Sequence, residues 1–190
     1  MRYEALPSSA AWRHQGARDG HEVLVTDPTV RGPRLRGVTT AVEDGVGWSV
    51  GYELDVADDW SVRRAEVRSL TADGEARLVL ERDAGGWSVD GVRRPDLAGL
   101  VDVDLESSAV TNTLPVHRLE PGRGTPTPAP ALFVRATTLA VEVLEQTYTA
   151  LDDTGLAFAY AAPRFGVACT LTYDRHGLVV DYPDLATRVR

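Results

Sequence analysis

Two aspartates in one short segment are the residues whose types and spacing come nearest to a reactive site. Asp102 and Asp104 alternate with apolar residues, and His117 follows a short way along the chain. Residues two apart in a β-strand share a face, so these carboxylates could bind a metal ion or perform acid–base chemistry with the imidazole. Any solvent-facing strand face has the same spacing. A hydrolase-type enzyme using Asp102, Asp104 and Arg118 is therefore the alternative function, not the first.

Other signatures of catalysis are missing from the sequence. The four histidines are widely spaced, unlike the pairs that zinc sites prefer, and neither a Gly-x-Ser-x-Gly motif nor a Gly-rich phosphate loop occurs. Cys169 falls on an apolar stripe, which favours a core position over a nucleophile. A single cysteine also excludes an internal disulfide and a cysteine-rich metal site. We expect a protein without catalytic activity, metal or cofactor.

Charge and composition narrow the range of partners. The 190 residues include 28 acidic and 20 basic side chains, a formal net charge of -8. This charge repels phosphate backbones and anionic membrane surfaces, and the sequence lacks the run of about 20 apolar residues that a membrane span requires. We therefore expect neither nucleic-acid binding nor stable membrane insertion. The low cysteine content and the lack of an apolar leader favour a cytoplasmic location, and the oligomeric state stays open.

Aromatic and polar residues favour binding over catalysis. Four tryptophans and six tyrosines are available to stack on sugar rings or to cover acyl chains, although most of them should lie in the core. Arg63 falls on the apolar face of its strand and needs an anionic or carbonyl partner, from a neighbouring strand or from a ligand. Asn112, the one asparagine, lies in a Thr-Asn-Thr-Leu-Pro segment. We interpret it as a tie to local backbone groups in a loop, with ligand contact as the second interpretation.

Strict alternation of apolar and polar residues predicts the strands that position these groups. In residues 47–56 the large apolar side chains share one parity, and glycine, serine and acidic residues take the other. This pattern is typical of a strand with one buried face. Residues 165–173 repeat it, and residues 139–145 favour a strand over a helix because β-branched residues crowd the region. The sequence thus predicts an all-β, mainly antiparallel protein with short helical turns, and core or cavity-lining positions at Trp48, Tyr52, Phe165, Val167 and Leu171.

Two similar motifs indicate an internal duplication. Trp87-Ser-Val-Asp-Gly precedes Pro95-Asp-Leu, and Leu178-Val-Val-Asp-Tyr precedes Pro183-Asp-Leu. In each copy the proline could begin a single helical turn. Residues 121–130 contain four prolines and two glycines, which is typical of extended, poorly packed chain. We predict one domain over residues 1–190, with two possible halves, about 1–120 and 131–190, joined by this loop.

Several motifs in a fixed order give the chain a family resemblance. They are Gly51-Tyr-Glu-Leu, Trp60-Ser-Val-Arg, Trp87-Ser-Val-Asp-Gly, Thr111-Asn-Thr-Leu-Pro with Arg118, and Val180-Asp-Tyr-Pro. From about Gly51 onward the chain resembles the bacterial glycolipid-binding family, formerly a domain of unknown function. It departs from that family at Ser108-Ala109, where Thr-Pro is common, and at His117, where a second Arg is common. The resemblance implies a half-open, strongly curved β-barrel with a concave apolar face, similar in shape to periplasmic lipoprotein-carrier proteins.

The expected function is that of a non-catalytic binding protein, which holds a glycolipid or another amphiphile on the concave face of the sheet. After the enzyme, a structural or protein-interaction role is the third possibility. The residues that we predict to contact the ligand are Tyr52, Arg63, Trp87, Asp102, Asp104, Asn112, Arg118, Tyr148 and Tyr182.

Overall fold

A computed structural model describes residues 3–119 and 121–189 and places most of them in β-strands. The first strands are β1 Ser9–His14, β2 Arg18–Thr29, β3 Gly32–Glu43, β4 Val46–Val56, β5 Val62–Thr71, β6 Gly74–Asp83, β7 Gly86–Val89 and β8 Val92–Arg93. Next come β9 Asp102–Leu105 and the helix α1 Thr113–Leu119. The remaining strands are β10 Thr127–Pro128, β11 Ala131–Val134, β12 Val141–Leu144, β13 Thr147–Ala150, β14 Ala157–Ala162, β15 Val167–Tyr173, β16 Val179–Tyr182 and β17 Ala186–Arg188.

Most strands belong to one large antiparallel sheet. Among the described residues its strand order is β10-β13-β14-β15-β16-β17-β1-β2-β3-β4-β5-β6-β7-β8. Because β1 pairs with β17, the first and last strands of the chain meet inside one continuous sheet. The sheet curves strongly without closing into a barrel. With 57% of residues in mostly antiparallel strands, the predicted half-open, mainly antiparallel architecture is confirmed.

A second, smaller sheet fills much of the space inside the curve. It consists of β12, β11 and β9, with β9 parallel and β12 antiparallel to β11. Every residue of β9 and β11 is buried. Their apolar side chains share one core with inner-face residues of the large sheet such as Leu54 and Leu171. The concave side of the large sheet is therefore largely occupied by the protein's own chain.

Alternation of side-chain size shapes the inner face of the large sheet. In β4, every second side chain from Trp48 through Tyr52 to Val56 is buried, while the residues between them are partly exposed, as the alternation predicts. Gly37 on β3 lies opposite Tyr52, and a Cβ at this glycine would come within 2.2 Å of the tyrosine ring. The missing side chain lets Tyr52 cross β3 and reach β2.

The segment around Asn112 is helical, so the predicted loop is wrong. Val110–Asn112 forms a 3-10 turn that leads directly into α1. Pro115 falls in the first turn of α1, where a backbone N–H has no helical acceptor to lose. Pro115 could not lie in a central strand, but at this position it is compatible with the helix. Helix α1 has 7 residues, and none of the described helices is long and apolar enough to cross a membrane.

Three other local predictions have definite outcomes. Residues 139–145 contain the strand β12, and Pro95–Leu97 forms the single helical turn that its sequence predicts. The corresponding turn at residues 183–185 is not helical, because Asp184 adopts a left-handed backbone with φ 61° just before β17. The Pro/Gly-rich segment 121–130 is partly ordered, since β10 pairs with β13 at one edge of the large sheet.

Candidate functional site

A pocket opens between the small sheet and the C-terminal strands of the large sheet. Its volume is about 180 Å³. The polar part of its lining consists of Arg18, Asp104, Glu106, Ser108, Asn112, Tyr160 and Tyr182. The apolar part includes Phe133, Phe165 and Val167. Phe165, in the turn between β14 and β15, is the most exposed of these side chains and marks the mouth, whereas Asp104 and Asn112 are buried.

Asp104 provides a buried carboxylate at the pocket. The Thr111 hydroxyl donates a 2.8 Å hydrogen bond to Asp104 Oδ1, while Oδ2 receives none from a side chain in the described part of the protein. Burial raises the pKa of Asp104 to about 6, and the neighbouring charges of Asp102 and Glu106 act in the same direction. At neutral pH the carboxylate is mostly ionised, so Oδ2 is an acceptor that a ligand can use.

Asn112 lies beside Asp104 and is fixed by two tyrosines. The Tyr148 hydroxyl donates a 2.7 Å hydrogen bond to Asn112 Oδ1, and the Tyr173 hydroxyl donates one of 3.2 Å to its backbone carbonyl. The sequence predicted that the Asn112 side chain bonds to nearby backbone groups. This prediction is wrong, because the side chain accepts its hydrogen bond from Tyr148 on β13. Within the described residues the Asn112 Nδ2 amide donates no hydrogen bond, which leaves it free to donate to a ligand.

Aromatic rings form two groups around the pocket. Phe133 and Phe165 lie with their centroids 5.0 Å apart, and the Arg135 guanidinium lies over both rings at 5.2 and 5.1 Å. On the other wall, Tyr160 contacts Tyr182 edge to face, with centroids 5.7 Å apart. The pocket thus combines aromatic walls with hydrogen-bonding groups.

A second buried carboxylate lies behind the pocket wall. Glu22 on β2 accepts hydrogen bonds from the Tyr52 hydroxyl at 2.8 Å, from the Ala109 backbone N–H at 2.9 Å and from the Ser108 hydroxyl. Burial raises the pKa of Glu22 to about 7, although these hydrogen bonds oppose the rise. Because Ser108 also lines the pocket, this cluster fastens the pocket wall to the inner face of the large sheet.

The pocket brings together three of the residues predicted to contact a ligand, Asp104, Asn112 and Tyr182. Tyr148 lies one hydrogen bond behind Asn112. Tyr52 is connected to the pocket only through Glu22 and Ser108. Ligand contact by these residues stays a prediction.

The other four predicted residues lie outside this lining. The buried Asp102 forms an ion pair with the partly buried Arg118, with Nε–Oδ1 at 3.1 Å and Nη2–Oδ2 at 2.5 Å. Trp87 is a core residue whose indole N–H donates to a backbone carbonyl at 2.8 Å. Arg63 is partly buried, and its guanidinium donates to the backbone carbonyl of Arg31 at 2.6 Å. A carbonyl was one of the two kinds of partner predicted for Arg63, the other being an anion.

Several residues of the site were not selected from the sequence, and Glu22 and Tyr160 are two of them. Glu22 shares the inner parity of β2 with Leu24, and Tyr160 shares that of β14 with Phe158. Parity alone therefore indicates that both side chains are buried. It gives no information on their partners, because Ser108 lies 86 positions from Glu22 in the sequence.

Truncation of Asn112 to alanine is expected to lower the free energy of unfolding by about 1–3 kcal/mol, because the Tyr148 hydroxyl is left unpaired in the core. Tyr148→Phe in the Asn112→Ala background removes the orphaned hydroxyl and should restore part of the loss. Urea denaturation of the ligand-free proteins measures both changes. An Asn112→Ala midpoint equal to that of the wild type would show that this hydrogen bond does not stabilise the fold.

These features define a half-open, curved β-sheet protein with a small polar pocket beside its inner sheet. The family described as putative glycolipid-binding matches residues 9–188, and the chain belongs to this family. A solved structure of a DUF1089 family protein from Pseudomonas aeruginosa is 27% identical, with a TM-score of 0.80 over 100% of both chains. A β-barrel-like protein of the domain of unknown function DUF1849 from Brucella abortus shares the fold, at 14% identity and a TM-score of 0.55 over 98% of this chain and 96% of that one. No curated protein matches the chain.

Proposed function

We propose that this chain is a non-catalytic binding protein for a glycolipid or a related amphiphile, whose sugar headgroup enters the polar pocket. The proposal follows the description of the family. The observation that carries it is that Asp104 Oδ2, an acceptor, and Asn112 Nδ2, a donor, lie in the lining of one pocket, and neither atom is engaged by another side chain among the described residues. Each sugar hydroxyl can donate and accept a hydrogen bond. Neighbouring hydroxyls therefore match this pair of groups.

The walls of the pocket support an uncharged sugar as the headgroup. Aromatic rings pack against the apolar faces of sugars, and Phe133, Phe165 and Tyr182 provide such rings here. A phosphate headgroup would bring its negative charge close to the carboxylates of Asp104 and Glu106, which is unfavourable where the dielectric constant is low. The Arg18 guanidinium in the same lining is already paired with Glu43, at 3.3 Å. The pocket chemistry therefore favours a glycolipid over a phospholipid.

The size of the pocket supports entry of the headgroup alone. Its volume of about 180 Å³ is below the roughly 300–1,000 Å³ of ordinary small-molecule sites, and the small sheet occupies the space that a lipid chain would need. In the proposed complex the acyl chain stays outside and follows the apolar side chains at the mouth, Phe165 and Val167.

The arrangement of ionisable groups supports a binding role over the enzymatic alternative. Of Asp102, Asp104 and Arg118, only Asp104 lines the pocket. Arg118 is engaged by Asp102 through two hydrogen bonds. Asp102 and Arg118 thus serve one contact and Asp104 serves another, so of these three residues only Asp104 could transfer a proton in the pocket.

Calorimetric titration with octyl glucoside below its micellar concentration tests the proposal. We expect saturable binding of octyl glucoside and much weaker binding of octanoate, which has a similar chain and a charged head. Asp104→Asn is expected to weaken glucoside binding about tenfold, because a hydrogen bond to a charged group contributes about 1.5–3 kcal/mol.

Val92→Ser serves as the control, because Val92 is 67% exposed on β8 and lies outside the pocket lining. This variant should bind octyl glucoside like the wild type. Equal affinities for octanoate and octyl glucoside, or an Asp104→Asn variant with unchanged affinity, would overturn headgroup recognition in this pocket.

A further inference from the structure

The outer face of the large sheet carries a cluster of exposed aliphatic side chains, separate from the polar pocket. Its members lie on β2, β3 and β5 and are each 40–52% exposed: Val23, Val25, Val38, Val42 and Leu70. On a strand with one buried face, the outward positions are ordinarily polar. We call this set the outer valine patch. A contiguous apolar patch on a protein surface commonly marks an interaction site.

Glycines extend the centre of the outer valine patch across β4. Val23 lies opposite Val38, and Val38 lies opposite Gly51. A Cβ at Gly51 or at Gly47 would meet open space, so neither glycine is required by packing within the chain. Two shallow concavities of about 590 and 550 Å³ share Val38, Gly51 and Arg68 and form one continuous depression here. The surface is therefore apolar at its centre and shaped to receive another surface.

The charges around this depression balance within the chain. In the larger concavity they are those of Arg36, Arg68, Glu53 and Glu66, two of each sign. Arg36 pairs with Asp27 at 2.6 Å, and Glu66 pairs with Arg68 at 2.6 Å. The chain as a whole has a net charge of -8 and repels its own copies over most of its surface. A locally neutral apolar face is where two copies can meet without that repulsion.

We propose that a second copy of this chain packs on the outer valine patch, through the same patch of that copy. A two-fold contact requires a self-complementary surface, and an apolar centre with a balanced, charged rim meets this requirement. Two sheets packed face to face lie about 10 Å apart and interdigitate their side chains. The open space above Gly51 and Gly47 accepts valine side chains of the second copy.

The dimensions of the face are sufficient for such a dimer. The two concavities are lined by the five strands β2–β6, since Ala76 and Arg77 of β6 line the smaller one. Five strands spaced about 4.8 Å apart, with about eight residues of 3.3 Å each, cover roughly 600 Å² per copy. Two copies bury about 1,200 Å², which is at the lower end of specific interfaces. We therefore expect a dimer that dissociates on dilution. The polar pocket lies on the other side of the sheet and stays accessible in this dimer.

Sedimentation equilibrium of the whole chain over about a hundredfold range of concentration tests the proposal. The wild type is expected to approach twice its 20.6 kDa mass at the highest concentration. Gly51→Arg is expected to stay monomeric throughout, because it places a charge at the centre of the patch. It should still fold, since its Cβ meets nothing within 4 Å, and an unchanged circular dichroism spectrum checks this.

Val92→Arg is the matched control, because Val92 is exposed on β8, away from the patch. It should dimerise like the wild type. A wild type that is monomeric at every concentration would overturn the proposal, whatever else binds the patch. So would a folded Gly51→Arg variant that dimerises as strongly as the wild type. If Gly51→Arg fails to fold, Val38→Arg provides the same test from the neighbouring strand.

Discussion

Arg118→Met is expected to lower the free energy of unfolding at pH 7 by about 3–5 kcal/mol, the usual effect of leaving a buried charge without its partner. Asp102 is 1% exposed, and Arg118 on α1 donates to both of its carboxylate oxygens. Burial raises the pKa of Asp102, while the Arg118 hydrogen bonds and charge lower it. Without the guanidinium, the carboxylate must either stay charged in the core or take up a proton.

A double variant separates the orphaned charge from other effects of losing Arg118. Asp102→Asn combined with Arg118→Met removes both charges, and it should recover much of the stability that the single variant loses. The difference in free energy of unfolding between the wild type and Arg118→Met should also shrink as the pH falls, because protonation of Asp102 removes the buried charge. Urea unfolding at pH 7 and pH 4 measures both effects. Equal stabilities of the single and double variants at pH 7 would contradict a role for this ion pair in holding α1.

Glu22→Gln is expected to make the stability of the protein less dependent on pH. The folded pKa of Glu22 is raised from 4.5 to about 7, so between these values the folded state binds more protons than the unfolded state. Stability due to this group is therefore fully present below pH 4.5 and is lost as the pH rises through 7. The shift corresponds to about 3 kcal/mol, at 1.36 kcal/mol for each pH unit. Glutamine does not titrate and removes this contribution.

Free energies of unfolding at pH 5 and pH 8 measure this difference between the wild type and Glu22→Gln. Asp104, with a pKa raised to about 6, acts in the same direction in both proteins and cancels in the comparison. Glu75→Gln, at an exposed position on β6, is the control and should retain the wild-type pH dependence. Parallel pH profiles for the wild type and Glu22→Gln would show that Glu22 does not retain its proton in the folded protein.

The strands could be predicted because their signal is local. Burial of alternate residues in β4, from Trp48 through Tyr52 to Leu54, follows directly from their spacing. The helical conformation of Val110–Asn112 and α1 could not be predicted from the sequence, because Thr, Asn and Pro are as common in loops as at helix starts. Its conformation depends on packing, since Leu114 and Val116 are buried in the core.

The candidate site was only partly predictable, because side chains on one strand face can have different partners. Asp102 and Asp104 were grouped by their spacing, but Asp102 pairs with Arg118 whereas Asp104 accepts from Thr111. The contact between Glu22 and Ser108 joins positions 86 residues apart. No pattern within a strand encodes such a pairing.

A crystal structure of the protein with octyl glucoside tests the central claim most directly. The proposal predicts the glucose ring in the polar pocket, within hydrogen-bond distance of Asp104 Oδ2 and Asn112 Nδ2, with the octyl chain leaving past Phe165. An octyl chain in the pocket with the sugar in solvent would contradict headgroup recognition. A glucoside bound only on the outer valine patch would contradict the assignment of this pocket as the binding site.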